Sequence, residues 1–316
     1  MASDIEPIDL PDGRRLDVRC SGPTDAPAVF FHHDSPGSAT GRRFLEESAH
    51  RHGLRFLTMS RPGYGDSTPR PGRQVVDVVS DTRSALDHFG VERCMVIGVS
   101  GGAPYALACA ARLAGCSSVA IFSGVGPVDQ MGRRRFAGQA KFKHALLDLV
   151  QRRWDPIGSR EDVRDLLAPS WNVSTLTPQG FIEYAATKLP PADRAVIDGD
   201  YAEDLVADFH EAMRHSLDGL VDDEIAIAHW FILQLDFDDD EEGMILPSWG
   251  FRFKEISVPV SVWRGTADKV VPISHARWFA ENIPNASLHV VKGEGHFSVV
   301  VHAIDRALEE MSSQPT

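Results

Sequence analysis

Along the first 123 residues, short apolar segments alternate with amphipathic segments. The apolar segments predict buried strands at residues 28–31, 54–59, 94–99 and 118–123. The amphipathic segments predict helices at residues 41–52, 75–89 and 101–113. Two further short strands, joined by a Pro-Asp-Gly turn, are predicted at residues 5–10 and 14–20. Because strands that alternate with helices are typical of βαβ units, the pattern predicts a mostly parallel sheet.

The alternation stops after residue 123. From there the pattern is helical, with helices predicted at residues 136–153, 160–167, 178–188, 201–217 and 222–235. Strands return at residues 258–263 and 286–291, with helices at residues 274–282 and 298–311. We therefore predict an α/β domain with a sheet of about eight strands, formed by residues 1–123 and 254–316 and interrupted by a helical insertion at residues 124–253. Ligands of such sheets bind beyond the carboxyl ends of the strands.

The charge and the cysteine content of the chain argue against several kinds of binding partner and motif. Acidic residues outnumber basic residues 45 to 32, for a formal net charge of −13, so neither nucleic acid nor an anionic membrane is expected as a partner. The four cysteines form no Cys-x-x-Cys pair, which argues against the common zinc and redox motifs. The first residues are polar and acidic and lack the features of a signal peptide, so we expect a cytoplasmic protein.

Residues 94–111 carry no charge and are long enough to resemble a membrane span. The stretch is bounded by Arg93 and Arg112 and is interrupted by Gly98, Gly101, Gly102 and Pro104. A buried strand that leads into a buried helix explains this composition better, so no membrane association is expected.

The sequence Gly98-Val99-Ser100-Gly101-Gly102 follows a predicted strand and begins a predicted helix. It is the G-x-S-x-G pattern of a nucleophile elbow in the strand–turn–helix context that the motif requires. The serine of an elbow lies on a tight, strained turn, where side chains at the positions of Gly98 and Gly102 would clash. Ser100 is therefore a candidate nucleophile. The alternative is a glycine-rich turn in which the serine has no role.

Two later loops contain the partners that a nucleophilic serine needs. Asp268 follows the strand predicted at residues 258–263, and His296 follows the strand predicted at residues 286–291. The serine needs a base to attack at neutral pH, and the histidine needs a carboxylate to fix its tautomer and stabilise its cation. The chain order of serine, acid and histidine is the order expected for this kind of sheet. We predict a catalytic triad of Ser100, Asp268 and His296.

Two further segments resemble motifs of the α/β-hydrolase superfamily. Residues 32–38, His-His-Asp-Ser-Pro-Gly-Ser, resemble its His-Gly-x-Pro-Gly motif, and residues 60–67, Ser-Arg-Pro-Gly-Tyr-Gly-Asp-Ser, resemble its Arg-Pro-Gly-Tyr-Gly-x-Ser loop. The resemblance covers the whole chain apart from the insertion, which stands where these enzymes carry a cap. It implies a serine hydrolase without cofactor or metal, and an oxyanion hole formed by the backbone N–H groups of Gly101 and Ser35.

Asp34 departs from the family pattern, because the family has glycine at this position after the histidine. A carboxylate aimed at the oxyanion hole would repel the oxyanion. We favour a structural role, in which Asp34 turns away and pairs with a neighbour such as Arg61, over an altered chemistry.

His32, His33 and Asp34 are also possible metal ligands. Without a second cluster of ligands a metal site is disfavoured, and His33 is expected to brace the loop by hydrogen bonds.

The insertion is expected to form an apolar substrate pocket above Ser100. Asp34 is one candidate for substrate binding, and the aromatic candidates are Trp230, Phe231 and Trp249. For any one aromatic residue, packing within the insertion is the more common role.

Each of two charged segments of the insertion can be interpreted as a ligand site or as a solvated surface segment. Residues 133–135, three arginines, are expected to be a solvated helix start rather than a dock for a carboxylate or phosphate. The acidic residues 236–242 are expected to form a solvated loop rather than a calcium site, because the spacing lacks the required glycine and glutamate.

These residues together predict a hydrolase that cleaves an ester, lactone or thioester of a small molecule with an apolar part, through an acyl-enzyme. The relatives that hydrolyse epoxides or haloalkanes use aspartate as nucleophile, so Ser100 disfavours their chemistry, and Gly101 disfavours the peptidases that carry tryptophan there. The alternatives are acyl transfer, C–C hydrolysis or cyclisation by the same triad, and a non-catalytic binding protein on the same scaffold. A monomer or a homodimer is expected.

Overall fold

The computed structural model describes residues 5–127, 160–170, 176–228 and 249–313. Eight strands form one sheet in the order β1-β2-β4-β3-β5-β6-β7-β8. Their bounds are β1 Glu6–Asp9, β2 Arg15–Ser21, β3 Ala28–His32, β4 Arg55–Met59, β5 Cys94–Val99, β6 Cys116–Phe122, β7 Val260–Gly265 and β8 Ala286–Val291. Strand β2 pairs antiparallel with β1 and β4, and the other neighbouring pairs are parallel. The predicted eight-stranded, mostly parallel α/β sheet is confirmed.

Helices cover both faces of the sheet. On one face α1 (Arg43–Arg51) and α10 (Ser298–Ser312) contribute to one hydrophobic core. On the other face α2 (Val78–His88), α3 (Ala103–Arg112) and α9 (Ile273–Asn282) contribute to a second. Because helices cover both faces, β3 and β5 are buried at every position, and their sequences are apolar apart from His32 at the end of β3. Within the described ranges, no helix has both the length and the apolar character that a bilayer span requires.

Further helices lie between β6 and β7, as the sequence predicts. They are α4 Arg160–Leu167, α5 Pro178–Lys188, α6 Pro191–Val196, α7 Gly199–Ala212 and α8 Asp218–Ala228. Their apolar side chains form a third core, which also includes Tyr64 from the loop after β4. We call α4–α8 the inserted helices. The bounds 124–253 of the predicted insertion stay a prediction, and the helix predicted at residues 136–153 lies outside the described residues.

The structure corrects two predicted helix bounds and adds one helix. The helix predicted at residues 201–217 ends at Ala212, and the next begins at Asp218 rather than at residue 222. The loop after β4 contacts the chain on both sides of this break: Gly65 donates its N–H to Ala212 O at 3.1 Å, and Gly219 donates its N–H to Gly63 O at 3.1 Å. Helix α6, which begins at the second proline of the Pro190-Pro191 pair, was not predicted.

The sheet has a topological switch point at β3. This strand pairs with β4 on one side and with β5 on the other, so the chain leaves β3 and β5 in opposite directions across the sheet. His32 at the end of β3 lies opposite Gly98 at the end of β5. The loop after β3 and Ser100 therefore share the crevice in which ligands of open α/β sheets bind.

Candidate active site

Ser100 directly follows β5 with a backbone φ of 51°. This left-handed conformation costs a non-glycine residue on the order of 1–2 kcal/mol and is typical of strained functional turns. The flanking glycines allow it. A Cβ on Gly98 would lie 2.7 Å from Gly102 O, and a Cβ on Gly102 would lie 2.2 Å from His32 O. Strand, turn and following helix thus meet as closely as the elbow motif requires.

Asp268 and His296 lie in the loops after β7 and β8 and are hydrogen-bonded to each other. The distance from His296 Nδ1 to Asp268 Oδ2 is 3.1 Å, and the Asp268 carboxylate is fully buried. Its other oxygen accepts the N–H groups of Val270 at 2.7 Å and Val271 at 3.0 Å. The buried Arg264 holds the same loop by donating to Asp268 O at 3.0 Å and to Val271 O at 2.5 Å.

The pair has the electrostatics of a base and its orienting acid. Burial raises the pKa of Asp268, but the facing His296 and the hydrogen bonds to the carboxylate outweigh it and lower that pKa. Burial lowers the pKa of His296, but the Asp268 carboxylate outweighs it and raises that pKa. Asp268 is therefore ionised at neutral pH, and its charge stabilises the imidazolium form of His296.

Residues 123–125 link Ser100 to the His296 loop. Val125 donates its N–H to Ser100 O at 3.3 Å, and Ser123 donates its hydroxyl to His296 O at 3.4 Å. Ser123 also has a positive φ, of 48°. Within the described residues Ser100 Oγ makes no hydrogen bond to His296. Such contacts are often long in unliganded sites and tighten with substrate.

Ser35 and Gly101, the two residues predicted to form the oxyanion hole, lie against each other. A Cβ on Gly101 would lie 3.2 Å from Ser35 N and 2.5 Å from Ser35 Oγ. Ser35 and Gly101, the residue after Ser100, are therefore neighbours, and an oxyanion hole formed by their backbone N–H groups stays a prediction.

The Asp34 carboxylate is paired with an arginine, but its partner differs from the one predicted. Arg42 Nη2 donates to both Asp34 oxygens at 2.8 Å, whereas Arg61 donates only to the backbone oxygen of Asp34, at 3.0 Å. Arg61 is not available for the side chain because its guanidinium is already bound to Asp223 and to His33 O. Asp34 is thus held toward Arg42, the residue that precedes α1.

His33 braces the loop as expected. Its Nε2 accepts the N–H of Arg61 at 3.1 Å, and its Nδ1 donates to Asp34 O at 2.7 Å. Burial, with a contribution from Arg61, holds the pKa of His33 well below its ordinary value, so the ring is neutral and fits these opposite roles.

Comparison with known proteins identifies the fold family. The family model described as the alpha/beta hydrolase fold matches residues 27–303. The chain belongs to the α/β-hydrolase fold family. None of the curated protein sequences compared with it is similar enough to match.

Solved structures of this family resemble the chain over nearly its full length. A bromoperoxidase from Bacillus anthracis is 16% identical with a TM-score of 0.65, and the match covers 98% of this chain and 100% of that chain. An esterase from Exiguobacterium antarcticum is 19% identical with a TM-score of 0.61, covering 99% and 100%. A variant of a meta-cleavage product hydrolase is 18% identical with a TM-score of 0.62, covering 98% of each. At this identity the likeness shows the shared fold.

Against the family fold, three buried carboxylates of the inserted helices stand out as residues that the sequence analysis missed. Asp223 on α8 accepts Ser35 Oγ at 2.7 Å, Asp208 on α7 accepts Ser38 N at 2.9 Å, and Asp193 on α6 accepts His296 N at 3.0 Å. Each is at most 1% exposed. These pairs are separated by more than 100 residues along the chain, so no local pattern marks them.

Of these three carboxylates, Asp223 accepts hydrogen bonds from the most side chains. Its two oxygens also accept Tyr105 Oη at 2.6 Å, Tyr64 Oη at 2.9 Å and Arg73 Nη2 at 2.8 Å, besides the Arg61 guanidinium. Burial raises the pKa of Asp223, but Arg61 and Arg73 outweigh it and lower that pKa strongly. The carboxylate is therefore charged, and it ties α8 to the loops that follow β3 and β4.

A small cavity of about 10 Å³, the size of one water molecule, lies beside His296. Its polar lining comes from Asp34, Arg42, Tyr201 and His296. Its apolar lining includes Val99, the residue before Ser100. The Asp34–Arg42 pair thus contributes a polar wall to the site.

Of the three aromatic residues predicted to bind substrate, the structure describes Trp249. Trp249 is 1% exposed and packs in the core against Phe251 and Phe253, with its indole N–H donated to Ile227 O at 3.1 Å. The structure therefore places it in the core and not on a pocket wall, because a fully paired, buried indole has no free surface for a ligand. Trp230, Phe231, residues 133–135 and residues 236–242 lie outside the described residues.

Proposed function

We propose that this protein is a serine hydrolase that cleaves an ester, lactone or thioester of a small molecule with an apolar part. The observation that carries the proposal is the hydrogen-bonded His296–Asp268 pair at the sheet edge where Ser100 occupies a strained elbow. A histidine oriented by a buried carboxylate, next to an elevated serine hydroxyl, is the arrangement that activates a serine for attack on a carbonyl.

In the proposed mechanism, Ser100 Oγ attacks the substrate carbonyl carbon while His296 Nε2 takes the hydroxyl proton. The carbonyl oxygen becomes an oxyanion, which the N–H groups of Gly101 and Ser35 stabilise. His296 then donates the proton to the leaving oxygen or sulfur, and an acyl-enzyme remains. Water, deprotonated by His296, releases the acid and regenerates Ser100. Asp268 keeps the Nδ1 proton in place and stabilises the imidazolium in both steps.

The ion pair of Asp34 bears on the alternative that the protein is a non-catalytic binding protein. Arg42 binds the Asp34 carboxylate and also binds Asp208, and this ion pair supports a structural role for Asp34 over a disabled oxyanion hole. Acyl transfer, C–C hydrolysis and cyclisation use the same three side chains, and analysis of the products distinguishes them from hydrolysis of an ester.

The test is labelling with a fluorophosphonate probe, comparing wild type with Ser100→Ala, followed by p-nitrophenyl esters of increasing chain length. We expect wild type to be labelled, and Ser100→Ala to lose labelling and to lower kcat by a factor on the order of 10⁴ to 10⁶. Ser80→Ala, an exposed serine on α2, is the matched control and should behave as wild type. A folded wild type without labelling would contradict the proposal and favour a binding protein.

A further inference from the structure

Asp193 reaches from the inserted helix α6 to the loop that contains His296. Its side chain accepts three consecutive backbone N–H groups, from His296 at 3.0 Å, Phe297 at 2.9 Å and Ser298 at 2.9 Å. Helix α10 begins at Ser298, and Phe297 in the N-cap position supplies no side-chain cap. Asp193 therefore satisfies N-terminal donors of α10 that a helix leaves unpaired, and its negative charge is favourable at this end of the helix dipole.

The loop is built closely around this carboxylate. A Cβ on Gly295 would lie 2.2 to 2.3 Å from the carboxylate carbon and both oxygens of Asp193. Gly295 donates its own N–H to Ser298 Oγ at 2.8 Å, which closes the turn. Because residue 295 has no side chain, the backbone of the preceding turn passes directly over the carboxylate and fixes His296 next to it.

The charged groups that face His296 come from separate parts of the fold. Asp268 follows β7 and binds Nδ1 directly, Asp193 comes from α6, and Asp34 comes from the loop after β3. Arg42 and Tyr201 line the cavity beside the imidazole. Of the carboxylates, Asp34 is paired with Arg42, whereas Asp193 binds only backbone N–H groups in the described structure. Within the residues that the structure describes, no Lys, Arg or His side chain forms an ion pair with the buried Asp193 carboxylate.

We propose that Asp193 is a positioning residue for His296, which fixes the backbone of the catalytic base and adds a negative charge that stabilises its imidazolium form. The proposal rests on the proposed function in that His296 is taken as the base. It makes α6, one of the inserted helices, a support for the loop that contains His296.

The chemistry of the side chain gives a specific expectation for Asp193→Asn. An amide has one acceptor oxygen, and its NH₂ group would face a backbone N–H donor, so the loop should shift. A displacement of about 1 Å at a catalytic group lowers the rate on the order of 10²-fold. Loss of the charge should also lower the pKa of His296, so that the acid limb of kcat/KM moves to lower pH.

The experiment measures the pH profile of kcat/KM on a p-nitrophenyl ester, together with an NMR titration of the His296 imidazole. We expect Asp193→Asn to lower the rate and to shift both the acid limb and the imidazole titration to lower pH. Asp165→Asn, an exposed carboxylate on the inserted helix α4, is the matched control and should change neither. A rate equal to that of wild type, or a lower rate with an unshifted imidazole titration, would overturn the proposal.

Asp193→Glu separates charge from geometry and serves if Asp193→Asn does not fold. It keeps the negative charge but adds a methylene group, so we expect a lower kcat/KM with an imidazole titration close to that of wild type. A wild-type rate in this variant would rule out the positioning role. The two proposals can fail independently of each other. Absence of turnover and of labelling in wild type contradicts the hydrolase function. The imidazole titration tests the role of Asp193 without any need for enzymatic turnover.

Discussion

At the scale of single residues, the candidate site depends on glycines at positions where any side chain would clash with its neighbours. Gly98 and Gly102 let strand β5 and helix α3 approach, and Ser100 between them takes a positive φ. These requirements are local, because they follow from the tight turn between one strand and the next helix. They explain why the G-x-S-x-G pattern was sufficient to locate the candidate nucleophile.

Substitution of Gly102 by alanine tests this close approach. The new Cβ would lie 2.2 Å from His32 O and 2.5 Å from His33 O, and both are backbone atoms that cannot rotate away. We expect Gly102→Ala to lower the free energy of unfolding by about 1–3 kcal/mol, as overpacked cores do, and to reduce labelling of Ser100.

The matched control for this prediction is Gly199→Ala. Gly199 begins α7, and no atom lies within 4 Å of its added Cβ. We expect this variant to be neutral or more stable by up to about 1 kcal/mol, because alanine favours helix. Urea unfolding of both variants measures the difference, and equal stabilities would show that the elbow tolerates a side chain at Gly102.

At the scale of elements, helix α8 is fixed to the core of the protein by charge. Its Asp223 is fully buried against Arg61 and Arg73, while Asp218 on the same helix pairs with Arg160 and Arg164 near the surface. A buried charge pair is destabilising when one partner is removed, because the other charge stays buried without compensation. An exposed pair is screened by water.

This contrast predicts different effects for two substitutions on one helix. Asp223→Asn leaves the buried Arg61 without its anion and leaves Arg73 with Asp222 alone, at 3.4 Å, so it should lower the free energy of unfolding by about 3–5 kcal/mol. Asp218→Asn, whose side chain is 24% exposed, should lower it by no more than about 1 kcal/mol. Urea denaturation at neutral pH measures both, and similar losses would mean that Asp223 is not the anchor of α8.

At the scale of the whole molecule, buried carboxylates couple the stability of an acidic protein to pH. The net charge is −13, and the pKa of Asp223 lies below its ordinary value because Arg61 and Arg73 outweigh the effect of burial. A carboxyl group whose pKa is lowered on folding stabilises the folded state above its unfolded pKa of about 3.9. That contribution is lost as the pH falls from there through the folded pKa.

The pH dependence of stability should therefore differ between wild type and Asp223→Asn. We expect the difference in their free energies of unfolding to be constant above about pH 5 and to shrink as the pH falls below about 4. Thermal melting followed by circular dichroism across this range provides the measurement. A difference that is unchanged in acid would show that Asp223 does not carry this charge when folded.

The sequence by itself determined the order of strands and helices, the parallel sheet and the candidate residues Ser100, Asp268 and His296. Each of these is marked by a local pattern: apolar periodicity, a glycine-rich turn, or a polar residue directly after a strand. The bounds of α7 and α8 were less accurate, because the ends of these helices are hydrogen-bonded to Gly65 and Gly63 of the loop after β4, which is distant along the chain.

Only the tertiary structure decided which side chains support that candidate site. It gave Asp34 the partner Arg42 instead of Arg61, and it placed Trp249 in the core. It also brought Asp193, Asp208 and Asp223 from the inserted helices to the loops around Ser100. These contacts join residues far apart along the chain, and a hydrogen bond or ion pair between distant residues leaves no periodic or spaced signal in the sequence. Such pairings exist only once the two segments have folded against each other.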